Sequence, residues 1–164
     1  MLVQAGGDEC RAGCVILATN GYTSQLVPQV PIQPTRAQML ASDPVPSRVC
    51  DLPTYSHHGY RYWRQVGSGE VLIGGWRDTS MDTEIGFDDE PTPGIQAHLD
   101  AHLHRLSPTA TVKQRWAGTM GFTKSGLPLV GPVEGMKNVY VCAGYNGHGM
   151  GFAFMSAKQL VETL

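Results

Sequence analysis

Hydrophobic and polar positions follow two different periods along the chain, and these periods predict both strands and helices. Residues 13–18 form a continuous apolar run, which is typical of a strand covered on both faces in a parallel sheet. Aromatic and polar residues alternate over 60–66, and a Gly-Ser-Gly loop joins them to the β-forming run 70–76, so this region predicts a hairpin. Apolar residues three or four positions apart after an initial proline predict a helix over 93–106.

The order of the elements predicts the fold class. Further strands are predicted at 35–42, 111–120 and 138–143, an extended proline-rich crossover at 28–34, a glycine-rich turn at 144–151, and a terminal helix ending at Leu164. This order predicts an α+β (mixed α/β) fold, with a mixed or antiparallel sheet and a few helices. The first strand and the last strand–turn–helix are typical of a parallel sheet with further strands, so we expect the chain to be part of something larger.

Length and charge narrow the class of protein. A chain of 164 residues can form one domain with its own hydrophobic core. Its 12 basic and 14 acidic residues give a net charge of −2, which argues against nucleic-acid binding by bulk positive charge. The longest apolar runs hold about five residues and cannot span a bilayer. The first residues lack the pattern of a secretory signal. We expect a soluble, cytoplasmic protein with no nucleic-acid or membrane partner.

Cysteine and histidine spacing predicts no metal site. The first two cysteines are separated by three residues, whereas zinc ribbons use two. Cys14 and Cys142 lie in β-forming runs and are interpreted as small buried side chains. His98 and His102 share a helix face, but no third ligand supports them, so we interpret them as solvated or flanking histidines on an amphipathic helix. The acidic stretch 78–93 is likewise interpreted as a solvated surface.

The segment most informative about function is the glycine turn, residues 144–151, which lies between a buried strand and the terminal helix. Glycine permits positive φ and close approach of another group. The free N–H groups and dipole of a helix start suit an anion or an electron-rich carbonyl. Tight helix–strand packing is the alternative explanation for these glycines. His148, within the turn, is interpreted as a hydrogen-bonded structural group, and no catalytic residue is assigned.

Several ordered stretches resemble one known family. They are VILATNGYT at 15–23, PTRAQ at 34–38, the hairpin at 60–75, and WAGTMGFTKSGLPLVG at 116–131 followed by the glycine turn. Together they resemble the C-terminal part of FAD-dependent oxidoreductases of the D-amino-acid oxidase, glycine oxidase and sarcosine oxidase group. The likeness is greatest to the branch that oxidises glutamylated polyamines such as gamma-glutamylputrescine. It spans nearly the whole chain.

The resemblance implies a division of the chain and a reaction. Residues 1–27 would be a remnant of the flavin-binding domain, 28–115 a substrate-binding-like domain, and 116–164 the C-terminal flavin-side segment and helix, all in one compact unit. In this family a small amine or amino acid passes a hydride equivalent to the flavin.

Two sets of site residues follow from the resemblance by position. The flavin set comprises Thr123, Ser125, Gly126, Leu127, Gly147, His148, Gly149 and Met150. The substrate set comprises Tyr60, Tyr62 and Trp76, although alternating aromatics in a hairpin are equally consistent with a core. The amides around 147–150 would stabilise the negative charge of a reduced flavin ring.

The sequence departs from the family pattern at several positions, and these departures limit what the resemblance implies about flavin binding. Met120 ends the segment where some members carry a flavin-linking cysteine, so we expect FAD to be non-covalent. The G-x-G-x-x-G unit that holds the FAD pyrophosphate is not matched. We therefore expect this chain alone to bind FAD weakly or not at all and to have little activity. Its expected protein partner is either a missing N-terminal FAD domain or a second copy of the chain. The alternative is a stand-alone small-molecule-binding or self-associating domain without redox activity.

Overall fold

The computed structural model describes all residues from Met1 to Leu164, and it contains strands and helices in mixed order. The strands are β1 (Leu2–Ala5), β2 (Asp8–Arg11), β3 (Val15–Leu17), β4 (Gln33–Ser42), β5 (Thr54–Ser56), β6 (Arg61–Gln65), β7 (Val71–Gly75), β8 (Val112–Phe122), β9 (Leu129–Pro132) and β10 (Val139–Ala143). The α-helices are α1 (Thr23–Leu26), α2 (Pro93–Leu106) and α3 (Gly149–Val161). This composition confirms the predicted α+β class.

The chain divides into two compact units. The first unit comprises residues 1–35 and 120–164, and the second comprises residues 36–119. The predicted boundaries lie at 27/28 and 115/116 within one compact unit. In the structure, the chain passes from one unit to the other at 35/36 and at 119/120. Residues 28–35 belong to the first unit because Val30 and Ile32, which lie between the prolines, are buried in its core.

The first unit is built on a three-stranded sheet in the order β3-β10-β9. Strand β10 is parallel to β3 and antiparallel to β9, which agrees with the parallel pairing predicted for the first apolar run. Helix α3 packs on β9 and β10. Strands β1 and β2 form a separate hairpin. Cys142 is buried as predicted, but the prediction for Cys14 is wrong, because this residue precedes β3 and is exposed.

The second unit is a five-stranded sheet in the order β5-β6-β7-β4-β8 with α2 packed on one face. The predicted hairpin is confirmed, with Arg61 opposite Gly75 and Gln65 opposite Val71. Helix α2 has the predicted bounds, and its side chains Ile95, Leu99 and Leu103 are buried. They form a core with Leu40, Val71 and Ile73 of the sheet and with Trp76, which follows β7.

The acidic stretch is not wholly solvated, which corrects its interpretation as a surface. Glu84 is 1% exposed and accepts hydrogen bonds from both Nε and Nη2 of Arg36, at 3.0 and 2.9 Å. Gln38 Nε2 donates to the same carboxylate at 2.8 Å, and Arg36 Nη1 donates to Asp88 at 2.9 Å. Arg36 and Gln38 come from β4, so the PTRAQ stretch anchors the acidic loop on the sheet. A charge can be buried here because its hydrogen bonds are satisfied.

His102 is also buried, so the sequence-based interpretation of a solvated or flanking histidine does not describe it. Its ring lies between Trp63 and Trp76, with centroids 4.3 and 5.0 Å away. Arg105 donates to its Nδ1 at 2.6 Å, so the proton of the neutral ring is on Nε2. Burial, followed by the charges of Arg105 and Arg61, lowers the pKa of His102 from 6.5 to about 4.

Candidate functional site

The glycine turn of the first unit has backbone conformations that require glycine. Gly144 and Gly147 have φ values of +81° and +82°. A Cβ on Gly144 would lie 2.6 Å from Cγ2 of Thr123, so the loop that begins at Thr123 approaches the turn closely. The glycine at 144 therefore serves close packing, and it also brings two parts of the predicted flavin set together.

Two asparagines hold this turn in place, and neither belongs to the predicted sites. Asn20 Oδ1 accepts hydrogen bonds from the amides of Gly144 and Tyr145 at 3.1 and 3.4 Å. Asn146 Oδ1 accepts from the Thr123 amide at 2.9 Å, while its Nδ2 donates to the Gly144 carbonyl at 2.8 Å. Each asparagine precedes a glycine in the sequence, a turn signal that could have identified both.

The loop 123–127 carries the other half of the flavin set. Thr123 Oγ1 donates to the Leu127 carbonyl at 2.7 Å, and the Gly126 amide donates to the Thr123 carbonyl at 3.3 Å. Gly126 has φ +74°. Ser125, Gly126 and Leu127 are exposed. The loop is thus a closed turn whose outer edge is accessible.

The start of α3 has main-chain donors that the fold leaves unused. The His148 amide donates to the Tyr145 carbonyl, and the Gly151 amide donates to the His148 carbonyl. The amides of Gly147, Gly149 and Met150 take part in none of the turn's hydrogen bonds. Unused donors at a helix start favour a negatively charged or electron-rich group, because the helix dipole adds to them.

The side chain of His148 contacts the turn itself. Its Nδ1 lies 2.9 Å from the Asn146 carbonyl, and because a carbonyl only accepts, Nδ1 carries the proton. This bond is consistent with the structural role predicted for His148. The pKa of Tyr145, in the same turn, is raised by burial and by its contact with Cys142.

Helix α3 exposes an unusually apolar surface. Only Ser156 and Leu160 are buried. Phe154 is 76% exposed and Met155 is 59% exposed, and Phe152 and Val161 are also exposed. An apolar patch of this kind on a folded unit marks a surface that contacts another part of a protein.

Within the second unit, Tyr62 of the substrate set lines a cavity of about 410 Å³. The other lining residues are Met39, Pro53, Thr54, Tyr55, Trp63, Arg64 and Leu72. The rings of Tyr55 and Tyr62 are stacked with centroids 6.2 Å apart. Burial raises the pKa of Tyr62, partly offset by the charge of Arg77. The cavity is mainly apolar, with one arginine, which suits a small organic ligand.

Trp76 is not among the residues that line the cavity with Tyr62. Trp76 is 6% exposed and packs in the core against His102. Its φ of +63° is a left-handed conformation that interrupts the alternation of strand β7, so its indole lies in the same core as Val71 and Ile73. Tyr60 instead has the guanidinium of Arg77 over its ring, 4.4 Å from the centroid. Arg77 thus contacts one member of the substrate set.

No group of three or more His, Cys, Asp or Glu side chains is arranged to hold a metal ion. None of the helices is long and apolar enough to cross a bilayer.

Comparison with solved structures identifies the class of fold. L-proline dehydrogenase from P. horikoshii superposes with a TM-score of 0.80 at 23% identity, covering 98% of this chain and 45% of that one. Glycine oxidase from Geobacillus kaustophilus superposes with a TM-score of 0.78 at 19% identity, covering 99% of this chain and 45% of that one. The chain therefore has the fold of somewhat less than half of each of these two proteins.

Sequence comparison assigns the family. A family model described as FAD dependent oxidoreductase matches residues 2–163, and the chain belongs to this family. Glycine oxidase of Pseudomonas aeruginosa is 28% identical over 95% of this chain and 43% of the relative. Glycine oxidase of Pseudomonas putida is 27% identical over 99% of this chain and 44% of the relative. The chain thus spans less than half the length of these relatives. The predicted family is confirmed, and the polyamine branch stays a prediction.

Proposed function

We propose that this chain is the C-terminal portion of an FAD-dependent oxidoreductase that oxidises a small amine or amino acid. The reaction is transfer of a hydride equivalent from the substrate to the flavin. The observation that carries this proposal is the group of unused amides at the start of α3, in a chain whose family match extends over residues 2–163.

The donor set at the glycine turn fits the electron-rich side of a flavin ring. The amides of Gly147, Gly149 and Met150 would hold it, and the loop 123–127 would border it. When bound, FAD supplies the acceptor for the hydride equivalent. The amides contribute by stabilising negative charge, since fixed dipoles at a helix start need no reorganisation. Met120 lies within 3.5 Å of a Cβ built on Gly147 and cannot form a covalent flavin link, which supports non-covalent binding.

The substrate side of the proposed enzyme is the aromatic region of the second unit. Tyr62 and Tyr55 supply one wall of the 410 Å³ cavity, and Met39 and Leu72 supply apolar surface. Tyr60 lies next to this region in the sequence and retains its proposed role in substrate binding. Trp76 would act from the core, by supporting the hairpin rather than by touching substrate.

Activity would require a dinucleotide-binding portion in addition to this chain. Two observations support this part of the proposal. The apolar side of α3 is exposed, and β3 is an edge strand with one neighbour in its sheet. An open strand edge and an exposed apolar helix are surfaces that folded proteins usually cover. Alone, the chain would bind FAD weakly and have little activity.

A fusion protein tests this function. The dinucleotide-binding portion of the Pseudomonas aeruginosa glycine oxidase would be placed ahead of this chain, and bound flavin and its anaerobic reduction by small amines would be measured. We expect stoichiometric non-covalent flavin that an amine reduces. A fusion that is folded by circular dichroism and binds no flavin would contradict the proposal.

A matched pair of glycine variants tests the turn within that fusion. Gly147→Ala places a side chain at φ +82°, whereas Gly151→Ala adds one in helical, open space. We expect Gly147→Ala to lower flavin affinity at least tenfold, an estimate based on loss of an oriented donor group, and Gly151→Ala to leave it unchanged. Equal affinities in the two variants would exclude the turn as the flavin contact.

A second candidate function is a stand-alone binding domain that has no redox activity. The observation that favours it is that the aromatic cavity lies entirely within the second unit, residues 36–119. In that case the exposed side of α3 would serve self-association. Dimers that bind small amines without flavin, measured by analytical ultracentrifugation and calorimetry, would favour this candidate over the oxidoreductase.

A further inference from the structure

Asn146 joins the glycine turn to the loop 123–127 through both its main chain and its side chain. Its amide donates to the Gly121 carbonyl at 2.9 Å, near the end of strand β8. Its Oδ1 accepts from the Thr123 amide at 2.9 Å, and its Nδ2 lies 3.3 Å from Thr123 Oγ1. Because 23 positions separate the two residues in the sequence, Asn146 connects two separate parts of the predicted flavin set.

The same side chain also forms a bond within the turn, and this bond fixes the orientation of its carboxamide. The Nδ2 group donates to the Gly144 carbonyl at 2.8 Å. A carbonyl only accepts and an amide N–H only donates, so Oδ1 must face Thr123 and Nδ2 must face Gly144. An aspartate would have no donor for the Gly144 carbonyl. The position therefore uses both the donor and the acceptor of a carboxamide.

The backbone at Asn146 leads directly into the start of α3. Its φ is +54°, a left-handed conformation that asparagine adopts more readily than most residues, and Gly147 follows with φ +82°. The unused amides of Gly147, Gly149 and Met150 lie within the next four positions. Their placement relative to the loop 123–127 therefore depends on the residue that is bonded to that loop.

We propose that Asn146 is a positioning residue, whose carboxamide couples the loop 123–127 to the start of α3 so that both contact one bound flavin ring. This inference rests on the proposed function. Asn146 acts through the amides and the loop rather than by touching the ring. Oriented donors stabilise developing charge only when they are held in place, and a misplacement of about 1 Å can cost a hundredfold in rate.

This role predicts an effect on the reduction potential of the bound flavin. Reduction adds negative charge to the ring, so aligned amides stabilise the reduced flavin more than the oxidised flavin. Loss of their alignment should therefore lower the potential. A residue that only stabilised the fold would weaken the binding of both redox forms equally, and the potential would not change.

Two asparagines of the first unit provide a matched pair of variants. Asn146→Gly removes the carboxamide and keeps the left-handed conformation, because glycine adopts positive φ readily. Asn138 has φ +58°, and its Nδ2 donates to the Gly13 carbonyl at 3.1 Å. It precedes β10, whereas Asn146 follows this strand. Asn138→Gly thus removes a left-handed asparagine and a bond to a carbonyl without affecting the loop 123–127.

Anaerobic redox titration of the fusion protein measures the predicted effect. We expect Asn146→Gly to weaken the binding of reduced flavin roughly tenfold more than the binding of oxidised flavin. For a two-electron couple, this tenfold change lowers the potential by about 30 mV. Asn138→Gly should leave the potential unchanged. An unchanged potential in Asn146→Gly, or the same shift in both variants, would overturn the inference.

Amide hydrogen exchange on the chain alone measures the coupling without flavin. The Gly126 amide donates to the Thr123 carbonyl, and the His148 amide donates to the Tyr145 carbonyl, so Asn146 takes part in neither bond. If Asn146 couples the two segments, both amides should exchange about tenfold faster in Asn146→Gly, because their local opening becomes easier.

The control and the contrary outcomes separate this inference from the proposed function. Asn138→Gly should exchange at the wild-type rate at both amides. Faster exchange confined to Thr123, which loses its acceptor directly, would overturn the coupling. If the fusion protein binds no flavin, the proposed function fails and the exchange rates alone decide whether the segments are coupled. If an amine reduces the fusion protein but neither potential nor exchange responds to Asn146→Gly, the enzyme stands and this inference fails.

Discussion

The two units of the chain bury their apolar side chains to very different degrees. In the second unit, helix α2 covers the sheet, and four core side chains are 0% exposed: Leu40, Ile73, Leu99 and Leu103. In the first unit, helix α3 buries two residues and leaves Phe154 76% exposed. The second unit therefore has the core of an independent domain, whereas the first has a core on one side only and an apolar surface on the other.

This difference has a functional meaning. The unit that carries the proposed substrate cavity has its helix packed over its core, whereas the unit that carries the proposed flavin contacts exposes apolar side chains of its helix. Under the proposed function, ligand binding would depend on the second unit alone, and flavin binding would need contacts beyond this chain, which spans 43% of one relative. The two units should therefore respond differently to substitution and pH.

The largest effect is expected in the core of the second unit. Leu99 is fully buried on α2, so Leu99→Ala removes apolar contacts and leaves a cavity. We expect a loss of about 4 kcal/mol in the free energy of unfolding, measured by urea titration. A loss below about 1 kcal/mol would mean that α2 does not pack as described.

The buried ion pair of the same unit should give the next largest effect. Arg36→Met leaves the Glu84 carboxylate buried without its partner, because Arg36 supplies two of its hydrogen bonds. We expect a loss of about 3 kcal/mol in the free energy of unfolding. The double variant Arg36→Met with Glu84→Gln should recover part of this loss. Thermal and urea unfolding of the single and double variants provide the check, and no recovery would contradict the pairing.

Acidification should destabilise the second unit through His102. Its folded pKa of about 4 lies below the unfolded value of 6.5, so the unfolded chain binds the proton more readily. Stability is fully present above pH 6.5 and declines as the pH falls towards 4, by about 2 kcal/mol at pH 5. His102→Phe should remove this part of the pH dependence. His98→Gln, which removes an exposed histidine from the same helix, is the control, and identical pH curves for wild type and His102→Phe would refute the prediction.

The smallest effect is expected on the exposed side of α3. Phe154→Ser should change the free energy of unfolding of the isolated chain by less than about 0.5 kcal/mol, because the ring is already exposed. Equilibrium urea titration measures this change. A loss above 2 kcal/mol would show that the helix is covered in solution, as in the self-associating alternative.

The elements that the sequence predicts well have strong local signals. Helix α2 has an apolar stripe, a proline in its first turn and Pro108 after its end, and these fix its bounds. The hairpin of β6 and β7 has a glycine-containing loop of suitable length. Strands β1, β2, β5 and β9 escape prediction because they are short and depend on partners rather than on periodicity.

The parts of the site that the sequence does not predict depend on long-range contacts. Glu84 is buried by Arg36, a residue 48 positions away, so an acidic stretch alone cannot reveal it. The burial of Trp76 directly after β7 depends on a positive φ that aromatic residues seldom adopt. The glycine turn, by contrast, is predictable, because a strand, glycines and a helix follow one another directly in the sequence.

The most direct test of the proposed flavin contacts compares two flavins on the purified chain alone. Riboflavin and FAD share the ring but differ in the dinucleotide, which the chain is proposed to leave without contacts. Fluorescence titration should give equal and weak affinities for both, with no flavin retained on purification. Stoichiometric FAD, or an affinity for FAD a hundredfold above that for riboflavin, about 2.7 kcal/mol, would contradict the account.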